Sequence, residues 1–344
     1  MRPPRTAISG RDEAAPAKED RSGAGVPQRR WGLTIPLTGV PLTAHRELIE
    51  RLPDLGYTDV WSAETAGTDA FSPLLLASQW APSLRLGTAI APVYTRGPGL
   101  LAMSASTLAE VAPGRFVLGI GTSSPVIVEN WNAGEFTEPY KRTRDTLRFL
   151  RSALAGEKVT ENYPTFSVSK FKLERVPETP PEIMLAALRP GMLKLAAKEA
   201  DGAITNWLAP GDVPKVRAEI GPDIELVARI FVCPTEDAGM ARKIGRMLIS
   251  SYLTVPVYAA FHDWLGREEV LAPMHKLWAA GDRKGANAAI PDEVVDDLIV
   301  HGSPDVCRAK LESYVDNGLT TPVIALLPTG GDQAAQIEAL APRA

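Results

Sequence analysis

Apolar residues in this chain gather in short runs, each closed by glycine, serine, threonine or proline. The runs alternate with longer segments whose apolar positions repeat at helical spacing. WGLTIPL, YTDVWS, LRLGTAIA, FVLGIG, EIMLAAL, GAITNWL, ELVARIFVC and PVIALLP predict eight strands. Between them lie amphipathic segments: AHRELIERLPDLG, with Thr43 as its N-cap and Gly56 as its stop, then helices over 71–80, 100–112, 140–154 and 190–200, and one starting at SPDVCRAKLESYVDNG. Strands this apolar are buried on both faces. Eight of them in alternation with helices predict an α/β fold, a (β/α)8 TIM barrel with insertions rather than an open doubly wound sheet. In such a barrel ligands sit at the carboxyl ends of the strands.

Two stretches break the rhythm. Residues 156–181 alternate apolar and polar side chains and predict an inserted hairpin. Residues 235–300 are too long for one barrel helix and predict a helical insertion. Its segment SYLTVPVYAAFHDWLG is rich enough in apolar side chains to line a pocket or bury a subunit interface; the interface is the expectation, giving a homodimer. The remainder, 31–344, reads as one barrel domain. Residues 1–30 carry proline, glycine and charge but hardly any large apolar side chain, so they are expected to be a disordered tail.

Composition narrows the function classes. A net charge of −4 gives no reason to expect nucleic acid or an anionic membrane as partner, and no apolar run approaches the length of a membrane span. Cys233 and Cys307 lie far apart, which suits a reducing cytoplasm better than a disulfide framework. The four histidines have no metal-binding spacing, so no metal is expected, and a GxSxG nucleophile elbow is absent.

Candidate chemistry then concentrates at the predicted strand ends. GIGTSSP puts Gly121, Thr122 and Ser123 after the fourth strand, as a plain tight turn or as a loop offering hydroxyls to a phosphate, ribityl chain or carbonyl. ALRPGM puts Arg189, Pro190, Gly191 and Met192 at a helix start, where free N–H groups suit a phosphate; a solvated arginine beside a proline-initiated helix is the plain alternative. SAET places Glu64 just past the second strand, as an acid–base group or a cap. Asn206 follows the sixth strand, and Tyr94 and Arg96 follow the third.

Taken together, DVWSAET, RLGTAIAPVYTRGP, APGRFVLGIGTSSP and ALRPGMLKLAAKEADGAITNW resemble the bacterial luciferase-like superfamily, and most closely its branch that uses the deazaflavin coenzyme F-420. The resemblance covers nearly all of 31–325. It implies a tricyclic redox ring at the carboxyl ends of the strands, backed by a cis peptide at Ala89–Ile90. It also implies cofactor contacts from Ser62, Glu64, Thr88, Ala89, Ile90, Ala91 and Gly121–Ser123, with the phosphate at Arg189–Met192. The histidine that such enzymes carry after the first strand is absent from Ile35–Thr38, which speaks against sugar-phosphate oxidation and light emission. The expected function is hydride transfer between coenzyme F-420 and a small organic substrate, with Glu64, Asn206 and Tyr94 as candidate catalytic groups. An FMN-dependent monooxygenase and a non-catalytic flavin-binding protein are the alternatives.

Overall fold

The structure, a computed structural model, describes residues 29–342. The expected disorder of residues 1–30 therefore lies, apart from Arg29 and Arg30, outside the described residues. Eight barrel strands follow the eight apolar runs: β1 Gly32–Thr34, β2 Asp59–Ser62, β3 Arg85–Thr88, β4 Phe116–Gly121, β5 Glu182–Ala186, β6 Gly202–Asn206, β7 Glu225–Cys233 and β8 Thr321–Leu326. Each pairs in parallel with its chain neighbour, and β8 returns to β1 through Gly32 opposite Val323, which closes the cylinder.

What fills the cylinder is one tryptophan. Trp61, Val117, Met184, Ile204, Val227 and Val323 form a buried cluster with one side chain from each of β2 and β4–β8. The other two strands make room. A Cβ on Gly87 of β3 would lie 2.2 Å from the Trp61 ring, and one on Gly32 of β1 would lie 3.1 Å from it. The indole thus plugs the barrel at mid-height because two strands carry glycine against it.

Below the plug, at the amino ends of the strands, sits a buried ion network. Arg85, first residue of β3, donates to Asp59 of β2 and, at 2.9 and 2.5 Å, to both oxygens of Glu225 of β7. The Thr321 hydroxyl donates to Glu225 at 2.6 Å, and the Arg85 guanidinium lies 5.5 Å from the Trp61 ring centroid. Burial alone would push the Glu225 carboxyl up, but the Arg85 hydrogen bonds and charge hold it below its ordinary value.

Helix boundaries differ from expectation mainly at the first helix. Thr43 caps nothing: it lies inside a 3-10 turn, Leu42–His45, and the α-helix runs only over Arg46–Arg51. The predicted hairpin is present as antiparallel strands Val159–Asn162 and Ser167–Phe171. The helical insertion resolves into five helices, Ala238–Leu253, Pro256–Leu265, Glu268–Ala279, Arg283–Ala288 and Asp292–Leu298, followed by a short strand, Ile299–His301, that adds to β7. No single helix among the described residues is long and apolar enough to cross a membrane. The first two insertion helices meet that length and composition only when joined across a 107° bend.

Candidate active site

The third strand departs from the regular ladder where the sequence suggested. β3 stops at Thr88, the Ala89–Ile90 peptide is cis, and strand pairing resumes at Ala91–Pro92 opposite Ile120 and Gly121 of β4. The diverted segment is tied on both sides. The Ala89 N–H donates to the Ser62 carbonyl at 2.6 Å, the Glu64 N–H to the Ile90 carbonyl at 3.3 Å, and the Val93 N–H to the Gly121 carbonyl at 2.9 Å.

The glycines of GIG belong to this wall. Gly119 donates to the Thr88 hydroxyl at 2.8 Å, and that hydroxyl donates back to the Gly119 carbonyl at 2.8 Å. A Cβ at Gly119 would lie 1.9 Å from the Thr88 carbonyl oxygen, and one at Gly121 would lie 2.6 Å from the Ala186 Cβ. Close approach between neighbouring strands is enough to require both glycines. Thr88 is fully buried with its hydroxyl spent on β4, and Ala91 is buried beside it.

Beyond the wall, the loops after β2 and β3 are clamped together. Glu64 accepts from Arg96 at 2.8 Å, from the Ala70 N–H at 3.1 Å and from the Thr95 hydroxyl at 3.4 Å, so both carboxylate oxygens are engaged. Arg96 lies 4.8 Å over the Phe71 ring, and the buried Ser62 hydroxyl donates to the Ala70 carbonyl. Glu64 therefore positions two rim loops, and Arg96 is its partner rather than a solvated charge.

Farther round the rim, Ser123 adopts a left-handed backbone, φ 60°, and the Thr122 hydroxyl donates to its carbonyl at 3.3 Å. A single wide turn, Val126–Trp131, follows. After β5, Arg189 is exposed just ahead of the helix Pro190–Glu199. A Cβ on Gly191 would meet nothing within 4 Å, so this helix start is open. Met192 packs against the core.

Asn206 ends β6. Its side-chain oxygen accepts from the Trp207 N–H at 2.9 Å, and its amide donates to the Tyr258 hydroxyl at 3.4 Å. Trp207 is buried with a left-handed backbone, φ 55°, an unusual conformation for a bulky residue. Its ring stacks 4.2 Å from Phe231 and 5.1 Å from Tyr252. The apolar stretch expected at a subunit interface thus has inward partners: Tyr252 packs on Trp207, Tyr258 accepts from Asn206, and Phe261 and His262 are buried.

Tyr94 goes elsewhere. Its hydroxyl donates to the Thr137 carbonyl, its ring lies 5.1 Å from Phe136, and burial pushes it up to about 12. It anchors the loop after β4 instead of joining Asn206. The remaining candidates gather at the strand ends: Ser62, Glu64, Ala89 and Ile90 are mutually bonded, Ile90 abuts Gly121, and Arg189–Met192 and Asn206 stand at the next two positions round the rim.

Sequence reasoning missed Arg229 and Thr34. Both line a recess above Trp61 together with Ser62, Ala63, Ala89, Ile204, Val227 and Val323. Thr34 Oγ1, Trp61 Nε1 and Arg229 Nε are all shut off from solvent without a hydrogen-bond partner among the described residues. An arginine in the middle of the apolar run ELVARIFVC was the available signal, because a strand buried on both faces has no ordinary place for one.

Comparison with known proteins agrees with this architecture. The chain is 29% identical over 83% of its length to a Mycobacterium tuberculosis protein assigned to the coenzyme F-420-dependent oxidoreductases, 91% of which is covered. It is 24% identical over 82% of its length to the 5,10-methylenetetrahydromethanopterin reductase of Methanolobus tindarius, 90% of which is covered. Among solved structures, the F-420-dependent tetrahydromethanopterin reductase of Methanopyrus kandleri superposes with a TM-score of 0.74 at 19% identity, over 91% of this chain and 97% of that one. The luciferase-like monooxygenase family model matches residues 24–321, from ahead of β1 into β8. With its kinked third strand and closed eight-stranded barrel, the chain belongs to the luciferase-like monooxygenase family and is an oxidoreductase of that fold.

Proposed function

We propose that this oxidoreductase uses coenzyme F-420 to transfer a hydride to or from a small organic substrate at the barrel mouth. The observation that carries the reading is the pairing of two rim features: the apolar wall at Ala89–Ala91 after β3, and the open helix start with exposed Arg189 after β5. A ring needs the first and a phosphate the second. The Thr122 and Ser123 hydroxyls between them suit a ribityl chain. The kinship with a protein assigned to the F-420-dependent enzymes points the same way.

A deazaflavin has carbon where a flavin has N5, so it supplies a two-electron hydride and reacts poorly with oxygen. The chain's own part is to orient and to exclude water. Glu64 and Arg96 fix the loops beside the wall, and Trp61 closes the floor. Asn206 and Tyr258 stand at the rim, where a proton can reach the acceptor as it takes up the hydride.

Fluorescence titration of the purified protein with F-420 and, separately, with FMN tests the reading. Saturable one-to-one F-420 binding, weakened about tenfold in Arg189→Ala, is expected. Tight FMN binding without F-420 binding would reverse it in favour of an FMN-dependent monooxygenase. Stoichiometric F-420 binding without turnover of any acceptor would point to a non-catalytic carrier. A homodimer completes the proposal, supported by exposed Leu75, Leu100, Met103 and Val111 on the helices Ser72–Trp80 and Pro98–Val111; sedimentation as a monomer would remove it.

A further inference from the structure

One cation at the barrel mouth lacks a counter-charge. Arg229 is the middle residue of β7, beside Asn206 of β6 and opposite Val323 of β8. Its side chain is part-buried, and its Nε is sealed from solvent with no hydrogen-bond acceptor among the described residues. Its guanidinium is held 4.9 Å from the Phe231 ring centroid, so it is oriented without being neutralised. The plain alternative, an arginine that is merely part of the wall, fails on chemistry: a wall position among Ile204, Val227 and Val323 is better filled by an apolar side chain.

We propose that the Arg229 guanidinium receives an anionic oxygen of the substrate, so that the oxidoreductase acts on an organic carboxylate. Three observations meet here. First, Arg229 is part-buried at the mouth, its Nε has no acceptor among the described residues, and the N–H groups of a guanidinium can only donate. A donor-only set selects an acceptor and rejects an ammonium group. Second, the recess of about 10 Å3 that Arg229 borders has apolar walls, and apolar surroundings strengthen a charge-assisted hydrogen bond made at their edge. Third, position separates substrate from coenzyme. In the closed strand order, β7 stands diametrically across from β3. A ring backed by the segment after β3 turns its free face toward Arg229, where the acceptor must lie. The assignment of the oxygen to substrate rests on the hydride-transfer reading above; the anion subsite itself does not.

Calorimetric titration of the full-length protein, with and without F-420, supplies the test. The probes are benzoate and its neutral isostere benzamide, applied to wild type and to Arg229→Met. Benzoate is expected to bind wild type and to bind Arg229→Met roughly tenfold to a hundredfold more weakly, the loss of one charged hydrogen-bond set. Benzamide should not distinguish the two, and F-420 affinity should be equal in both. The denaturation midpoint of Arg229→Met should match or exceed that of wild type, because no partner is stranded. Equal benzoate binding by both proteins, or none by wild type, would overturn the subsite. A loss of F-420 affinity in Arg229→Met would transfer the oxygen to the coenzyme and overturn the substrate assignment, and a large drop in midpoint would make Arg229 structural. Should wild type not bind F-420 at all, the proposed function falls while the benzoate comparison still stands or fails by itself.

Discussion

Two arginines of the same barrel live under opposite rules. At the foot, each nitrogen of the Arg85 guanidinium donates to Asp59 or Glu225, and Thr321 fills a remaining lone pair of Glu225. At the mouth, Arg229 has an aromatic ring beside it, and its Nε has no acceptor among the described residues. Arg85 is buried, where an unmatched charge is costly, while Arg229 is part-buried with only its Nε sealed. A foot completed from within is there for stability, whereas a mouth left incomplete is a place where something from outside supplies the missing half. Trp61 stands between the two.

The sharpest way to break this contrast is at the foot. Arg85→Met leaves Glu225 without its hydrogen-bonded cation and Asp59 with Arg30 alone, at 3.6 Å, and a loss of about 3–5 kcal/mol is expected by urea denaturation. If the loss matched that of Arg229→Met, the two ends would not differ.

Acid comes next, and it acts over the mouth. His262 is buried on the insertion helix Pro256–Leu265, and burial pushes it down to about 3, helped by the nearby Arg267 charge. In the unfolded chain a histidine titrates near about 6.5. Between those values the unfolded chain binds a proton that the folded one does not. Stability therefore falls as pH drops through that window, by about 1.4 kcal/mol per pH unit. Denaturation midpoints of wild type and His262→Phe across the window should diverge in slope; parallel lines would mean the imidazole is not buried neutral.

At mid-height, Gly87→Ala drives a methyl group into the Trp61 ring, and about 1–3 kcal/mol should be lost. The same change should red-shift or quench Trp61 emission, since the indole must move. Smaller still is Glu64→Gln, which weakens a half-buried clamp to Arg96 and should cost about 1 kcal/mol in thermal unfolding while lowering F-420 affinity. Unchanged melting and unchanged affinity would remove Glu64 from the site.

The strands were legible because a barrel strand is buried on both faces and reads as an uninterrupted apolar run, as FVLGIG and ELVARIFVC do. Boundaries were legible only where a side chain or proline marks them. Pro190 opens its helix as expected, while Thr43 resembles a cap by residue type but lies inside a tighter turn. LRLGTAIA reads as one strand, and nothing in its pattern of side chains records that the ladder breaks after Thr88; that position came from family resemblance alone. The three-residue strand Ile299–His301 is too short to have a period. For the site, sequence located the rim but not the facing of its side chains. Tyr94 follows Val93 and Arg229 lies between Ala228 and Ile230, yet one turns out to the loop after β4 and the other in to the recess, a choice made by tertiary packing.

A cylinder stoppered by an indole has a single doorway. Ligand, product and proton must all travel over the carboxyl rim, where Tyr252 and Tyr258, which the barrel repeat does not supply, stand against Trp207 and Asn206. Selectivity can accordingly be rewritten in the insertion while the ion network underneath goes on holding the staves together.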